Sequence, residues 1–313
     1  MSTRRVSERV ATLDIGTNSV LLLVAEATAE GPRAVLERAT ITRLGEGVDR
    51  TRTLAPAARA RTLECLARYA DDMRRLGVVA CRAVGTSALR DAAGGGDFTR
   101  EAEALLGVAP EVIAGEREAA LTFRGALSGL SARGAVSVFD VGGGSTEIVH
   151  GTRNGNARVE TAVSLDIGSV RLFERHVRAD PPTPDELTRV RADIDAALAA
   201  APRATEERIL VGVAGTVTTL AAVALELDSY DPARVHGSLL SRERVEELAR
   251  KLAVLPLAER KALRGLEPKR ADVIVVGSLI VERVMHFTGA RELIVSDRGV
   301  RWGLAEELVE AAT

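Results

Sequence analysis

The sequence predicts an α/β protein of two domains, and three observations carry that expectation. The chain has 313 residues, more than one core usually serves, since single hydrophobic cores stop growing at roughly 250 residues. It contains two copies, 126 positions apart (140 minus 14), of one pattern: apolar run, Asp, apolar residue, Gly, hydroxyl-bearing residues, apolar run. Around and after each copy, strand-type runs alternate with stretches of helical period. The expected domains are residues 1–128, joined by a closing helix over 300–313, and residues 129–299.

The second copy, Ala135 to Val149, is the richer. Its apolar run ends on Asp140, turns over Gly142, Gly143 and Gly144, carries Ser145 and Thr146, presents Glu147 and resumes an apolar run. Glycines at such a turn let backbone N–H groups approach a ligand closely, and consecutive N–H groups form an anion nest suited to phosphate. Asp140 and Glu147 flank it as hard oxygen ligands for a divalent cation. A plain glycine-rich hairpin is the simpler reading of three glycines alone. The first copy, Val10 to Val24 with Asp14, Gly16, Thr17, Asn18 and Ser19, makes coincidence harder to defend.

A third strand is expected over Arg33 to Leu44, then a helix opened by Pro56 with Leu63, Leu66, Ala70 and Met73 on its core face. The strand Val78 to Val84 ends in Gly85-Thr86-Ser87 at a helix start, a favourable place for an anion, with Arg90 one turn inside. Gly94-Gly95-Gly96 reads as a flexible connection before a helix from Asp97 to Leu106. A short strand at Val112-Ile113 precedes a helix from Gly115 to about Gly129, with Glu118 in its first turn. There a glutamate is commonly a mere partner of the helix dipole.

After the second hairpin, Asn154-Gly155 turns the chain into a strand over Arg158 to Ser164. Leu165-Asp166-Ile167-Gly168-Ser169 imitates the Asp-x-Gly signal, but a helical stretch follows it, so it reads as a decoy for metal binding. Thr183-Pro184-Asp185-Glu186 is a capping box. The strand Ile209 to Val213 turns at Ala214-Gly215-Thr216 into a helix, a second candidate phosphate corner. A buried helix is expected through Val273 to Phe287, a last strand over Leu293 to Ser296, and a closing helix from Val300 to Ala311.

Composition excludes several classes. The net charge is −2 and aromatic residues are 3%, so neither a basic field nor stacking platforms point to nucleic acid. Cys65 and Cys81 lack metal-type spacing and read as ordinary thiols of a reducing compartment. No run of about 18 apolar residues or leader-type segment occurs, so the expectation is a soluble, cytoplasmic protein without a membrane partner.

In order along the chain, Asp14 to Ser19, Gly85 to Arg90, Gly115 to Ala119, Asp140 to Glu147, Ala214-Gly215-Thr216 and Ser296 to Gly303 resemble the motifs of the exopolyphosphatase/guanosine pentaphosphate phosphohydrolase (Ppx/GppA) family, in its short two-domain form. The resemblance implies two actin-like (ribonuclease H-like, ASKHA) domains flanking a central cleft. By it, Glu118 takes the place of the glutamate that orients and activates the attacking water. Asp140, Glu147 and Asp14 correspond to metal-site acids for Mg²⁺ or another divalent cation. Gly142, Gly143, Gly144, Ser145, Arg90, Thr17, Asn18, Ser19, Gly215 and Thr216 correspond to phosphate-binding positions. Two departures stand out: Arg117 precedes Glu118 where the family often has another acid, and Trp302 stands where it often has an acid.

The leading expectation is a metal-dependent exopolyphosphatase cutting terminal orthophosphate from inorganic polyphosphate. The short form offers less surface for a long polymer, so shorter chains are favoured. Hydrolysis of the 5′-phosphate of guanosine pentaphosphate (pppGpp) is the near alternative, with a link to the stringent response. An actin-like kinase and a non-catalytic phosphate sensor are the alternatives of other classes. Oligomeric state stays open, a homodimer included.

Overall fold

The computed structural model describes residues 8–312. The chain divides into two compact units, the first ending at Ala114 and resuming at Val300, the second running Gly115–Gly299.

The first unit is a five-stranded mixed sheet of order β3-β2-β1-β4-β5. Its strands are β1 (Arg9–Ile15), β2 (Ser19–Thr28), β3 (Gly31–Ile41), β4 (Ala80–Gly85) and β5 (Glu111–Val112). β1, β2 and β3 form an antiparallel meander, and β4 joins β1 in parallel. Side chains alternate between faces along a strand, and each face has its own cover. Ala11, Leu13 and Ile15 pack with Cys65, Leu66, Tyr69 and Met73 of the helix Pro56–Arg75. Val10, Leu23 and Ala25 pack with Trp302, Ala305 and Val309 of the helix Val300–Ala312. Trp302, on the closing helix expected to join the first domain, is thus a core residue of the first unit, 2% exposed.

The second unit is a six-stranded sheet of order β10-β11-β9-β6-β7-β8. It comprises β6 (Gly134–Val141), β7 (Thr146–Asn154), β8 (Asn156–Leu165), β9 (Ile209–Val213), β10 (Leu239–Ser241) and β11 (Glu292–Val295). Another antiparallel meander, β6-β7-β8, leads, and β9 joins β6 in parallel. On one face Phe139, Val141, Ile148 and Leu210 meet the largest core, which includes the buried helix Ile274–Thr288. On the other, Val136, Val138, Val149, Val211 and Val213 receive Ala119, Phe123, Ala126 and Leu127 of the helix Gly115–Leu127. That helix was expected within residues 1–128; its apolar stripe instead packs on the second sheet, which moves the division between the units to Gly115.

The glycine run also differs from expectation: Gly94, at φ +82°, precedes a helix whose first turn contains Gly95 and Gly96. The Thr183 capping box forms, Glu186 accepting the Thr183 N–H at 2.9 Å. Among the described residues no helix is long and apolar enough to cross a membrane.

Candidate active site

The two Asp-x-Gly turns have the same geometry. Gly16 N–H donates to Ser19 O at 3.0 Å, and Gly142 N–H donates to Ser145 O at 3.0 Å. Strand register agrees as well: Asp14 stands opposite Leu21, and Asp140 opposite Glu147. The equivalence therefore reaches down to single backbone bonds, with one chemical difference. Only in the second hairpin does an acid stand opposite the aspartate.

Asp140 and Glu147 lie in a row of cross-strand neighbours, Val213, Asp140, Glu147 and Ser164, running over β9, β6, β7 and β8. Residues two apart share a face, so the row points to the side of Val136, Val138 and Val149, which the helix Gly115–Leu127 covers. Ser164 Oγ donates to Glu147 Oε1 at 2.7 Å, and Glu147 is 1% exposed. Gly115, where the helix begins, rests on the same serine, because a Cβ there would lie 2.5 Å from Ser164 Cβ. Glu118 follows within one turn and is 7% exposed. Ser164 thus ties the orientation of Glu147 to the seat of the helix that carries Glu118.

The loop Gly142-Gly143-Gly144 is held from one side. Ser169 N–H donates to Gly142 O at 3.0 Å, and Val170 and Arg171 N–H donate to Gly143 O at 2.9 and 3.0 Å. Arg171 Nε donates to Gly144 O at 2.6 Å. Every carbonyl of the three glycines is taken, whereas among the described residues no protein acceptor takes the N–H of Gly143 or Gly144. That division of donors and acceptors is what an anion nest requires. The segment read as a decoy is the brace behind the loop, and its Asp166 side chain is 86% exposed.

In the first unit a similar brace follows β3. Thr42 and Arg43 N–H donate to Asn18 O at 3.1 and 2.9 Å, and Gly45 N–H donates to Thr17 O at 2.9 Å. Asn18 is 7% exposed, and neither Oδ1 nor Nδ2 of its carboxamide has a partner among the described residues. A buried amide without partners costs on the order of 1–3 kcal/mol. Arg90, on the short helix Ser87–Asp91, donates from Nη1 to Ile113 O at 3.0 Å.

At the second corner, the chain leaves β9 through Ala214 at φ +67° and enters the helix Ala214–Ala224. Thr216 is 4% exposed and its hydroxyl donates to Val141 O at 3.4 Å. The Arg270 guanidinium lies directly on Gly215, occupying the place of a Cβ. Burial lowers the Arg270 pKa from its ordinary value. Sequence reasoning missed Ser164, Arg171 and Arg270, each of which takes its meaning from a partner distant in sequence.

Two mixed sheets, each headed by an Asp-x-Gly hairpin with the same backbone turn, define an actin-like α/β protein. A family model described as the Ppx/GppA phosphatase family matches residues 23–311. The chain is 39% identical over 318 residues to exopolyphosphatase 2 of Mycobacterium tuberculosis, covering 96% of this chain and 98% of the relative. It is 26% identical over 315 residues to the guanosine-5′-triphosphate,3′-diphosphate pyrophosphatase of Vibrio cholerae, covering 99% of this chain and 61% of that protein. The crystal structure of the Aquifex aeolicus Ppx/GppA family member aligns with a TM-score of 0.82 at 33% identity, covering 98% of this chain and 99% of the other. The chain belongs to the Ppx/GppA phosphatase family and is a hydrolase acting on phosphoric anhydrides.

Proposed function

We propose that this chain is an exopolyphosphatase that releases terminal orthophosphate from inorganic polyphosphate, with shorter chains favoured. The observation that carries the reading is the triglycine loop, its carbonyls engaged and its Gly143 and Gly144 N–H groups left for an anion, beside Asp140 and Glu147 on a sheet face covered by the helix that carries Glu118. The N–H groups hold the oxygens of the terminal phosphoryl group. Glu118 accepts a hydrogen bond from water, orients it in line with the P–O bond that breaks, and takes up its proton as the new P–O bond forms. Orthophosphate leaves, and the shortened chain carries away the displaced oxygen. Such chemistry is mostly positioning and charge neutralisation.

Asp140 and Glu147 suit a divalent cation such as Mg²⁺. Mg²⁺ is commonly held by one or two carboxylates with water and substrate phosphates completing the shell. Among the described residues no cluster of three or more metal-type side chains occurs, so a two-carboxylate site is the arrangement that fits. When bound, the cation would neutralise phosphate charge. Asp14 is a further candidate acid, Thr17, Asn18 and Ser19 form the phosphate-binding loop we propose for the first unit, and Arg90, on the helix Ser87–Asp91, is the phosphate-binding arginine we propose there. Gly215 and Thr216 offer a further phosphate corner through their backbone.

Hydrolysis of the 5′-phosphate of pppGpp is the second reading, supported by the likeness to the Vibrio cholerae relative. The test measures orthophosphate release from polyphosphates of defined length, pppGpp and ATP, with and without Mg²⁺, for wild type and Glu118→Gln. Polyphosphate is expected as the best substrate, with kcat lowered about 10²–10⁴-fold in the variant. A glutamine enzyme as fast as wild type would remove Glu118 from the mechanism. Consumption of ATP only with an added acceptor would make the protein a kinase.

A further inference from the structure

An arginine beside a phosphate loop is ordinarily read as a cation that grips phosphate. Arg171 is 6% exposed, and its Nε is spent on the carbonyl of Gly144 at 2.6 Å. It belongs to a brace in which Ser169 holds Gly142 O, through N–H at 3.0 Å and Oγ at 3.2 Å, while Val170 and Arg171 N–H hold Gly143 O. Gly168 presses on the same loop so closely that a Cβ would overlap the backbone of Gly143 and Gly144.

The peptide unit is planar and trans, so its C=O and N–H point in opposite directions. Fixing Gly142 O, Gly143 O and Gly144 O from behind therefore turns the N–H groups of Gly143, Gly144 and Ser145 to the other side. The first two planes are set by main-chain donors from residues 169–171. The third, joining Gly144 to Ser145, is set by a side chain, and that side chain is Arg171.

We propose that Arg171 is a positioning residue that aims the Ser145 N–H at the terminal phosphoryl group by holding the Gly144 carbonyl, and that it does not bind phosphate itself. This rests on the phosphate-loop reading of Gly142 to Ser145. It separates two arginine roles that a sequence cannot distinguish: one requires the positive charge, the other a directional N–H at one place.

A glutamine at position 171 puts its amide nitrogen the same number of bonds from Cβ as Nε, without the charge. A methionine keeps the length and removes the donor. A lysine keeps the charge and moves the donor. The experiment uses the full chain with Arg171→Gln, Arg171→Met and Arg171→Lys. It measures kcat/KM for polyphosphate, calorimetric affinity for inorganic pyrophosphate, and the thermal unfolding midpoint.

Arg171→Gln is expected to keep most of the wild-type kcat/KM and pyrophosphate affinity. Arg171→Met is expected to lose about 10–100-fold, the usual effect of removing a group that orients a binding group, and Arg171→Lys to resemble it. A ranking in which lysine rescues and glutamine fails would overturn the proposal in favour of a phosphate-gripping cation. A methionine variant equal to wild type would leave Arg171 without a role. If the methionine protein does not fold, glutamine against lysine still decides. Wild-type protein inactive on polyphosphate would sink the exopolyphosphatase reading, and the pyrophosphate affinities would still rank the three variants.

Discussion

Asp140 and Glu147 face each other across β6 and β7, at positions that Asp14 and Leu21 occupy in the first hairpin. Two carboxylates so close on one side of a sheet repel each other unless a positive charge lies between them. The second unit alone has this arrangement among the two hairpins. Glu147→Gln is therefore expected to abolish the rise in unfolding temperature that Mg²⁺ produces, whereas Asp14→Asn, with no facing acid, keeps most of it. Calorimetric scans with and without Mg²⁺ check this. An unchanged response in Glu147→Gln would place the cation elsewhere.

Gly168 meets the loop through backbone atoms, which have little freedom to give way. Its φ is −140°, so alanine strains nothing in its own backbone and must instead push Gly143 and Gly144. Gly168→Ala is expected to cost activity well beyond its effect on folding, by about 10-fold or more. Parallel measurement of kcat/KM and of the unfolding midpoint distinguishes this from simple destabilisation, which would lower both together.

Trp302 fills the core between the helix Val300–Ala312 and Val10, Leu23 and Ala25, and its Nε1 donates to Glu37 Oε2 at 3.4 Å. Trp302→Ala should cost about 3–5 kcal/mol of stability, read as an earlier denaturant transition of the first unit. Substrate affinity at low temperature is expected to remain. A large rise in KM without loss of stability would place Trp302 at the substrate instead.

Glu186 accepts the N–H groups of Thr183 at 2.9 Å, Arg178 at 2.8 Å and Ala179 at 3.2 Å. Those backbone bonds, Thr183's first, hold its carboxyl below the ordinary glutamate range. A carboxyl whose folded pKa is depressed stabilises the fold above the unfolded value of about 4.3, and the contribution disappears as pH falls through the depressed value. Glu186→Gln should be less stable than wild type at pH 7, and the two should converge once pH falls below the depressed value. Urea titrations across that range provide the check, and a gap that persists in acid would rule out the carboxylate as its cause.

Much of the architecture was legible because it is written locally. Asp14 and Asp140 each end an apolar run before a glycine turn, and the capping box at Thr183 marks its helix with short-range chemistry. The helix Gly115–Leu127 was legible as a helix but not as a member of the second unit. Ala119, Phe123 and Ala126 declare an apolar stripe and carry no address for the sheet that receives it. Ser164 and Arg171 were opaque for a related reason. The serine acquires its role through the register of β7 and β8, which shifts at His150/Gly151. The arginine acquires its role by folding back on a loop 27 residues earlier. Gly95 and Gly96 misled because their intrinsic preference for irregular backbone yields to the packing of Phe98 and Ala102.

The helix Val300–Ala312 covers a sheet whose strands all end before Ala114. The second unit is contiguous from Gly115 to Gly299, whereas the first is assembled from two separated segments. Its sheet is made early and its cover late, so Val10, Leu23 and Ala25 are shielded only once Trp302 has been translated. Chains truncated before Val300 are expected to leave the first unit open to protease, and chains that include the helix to protect it.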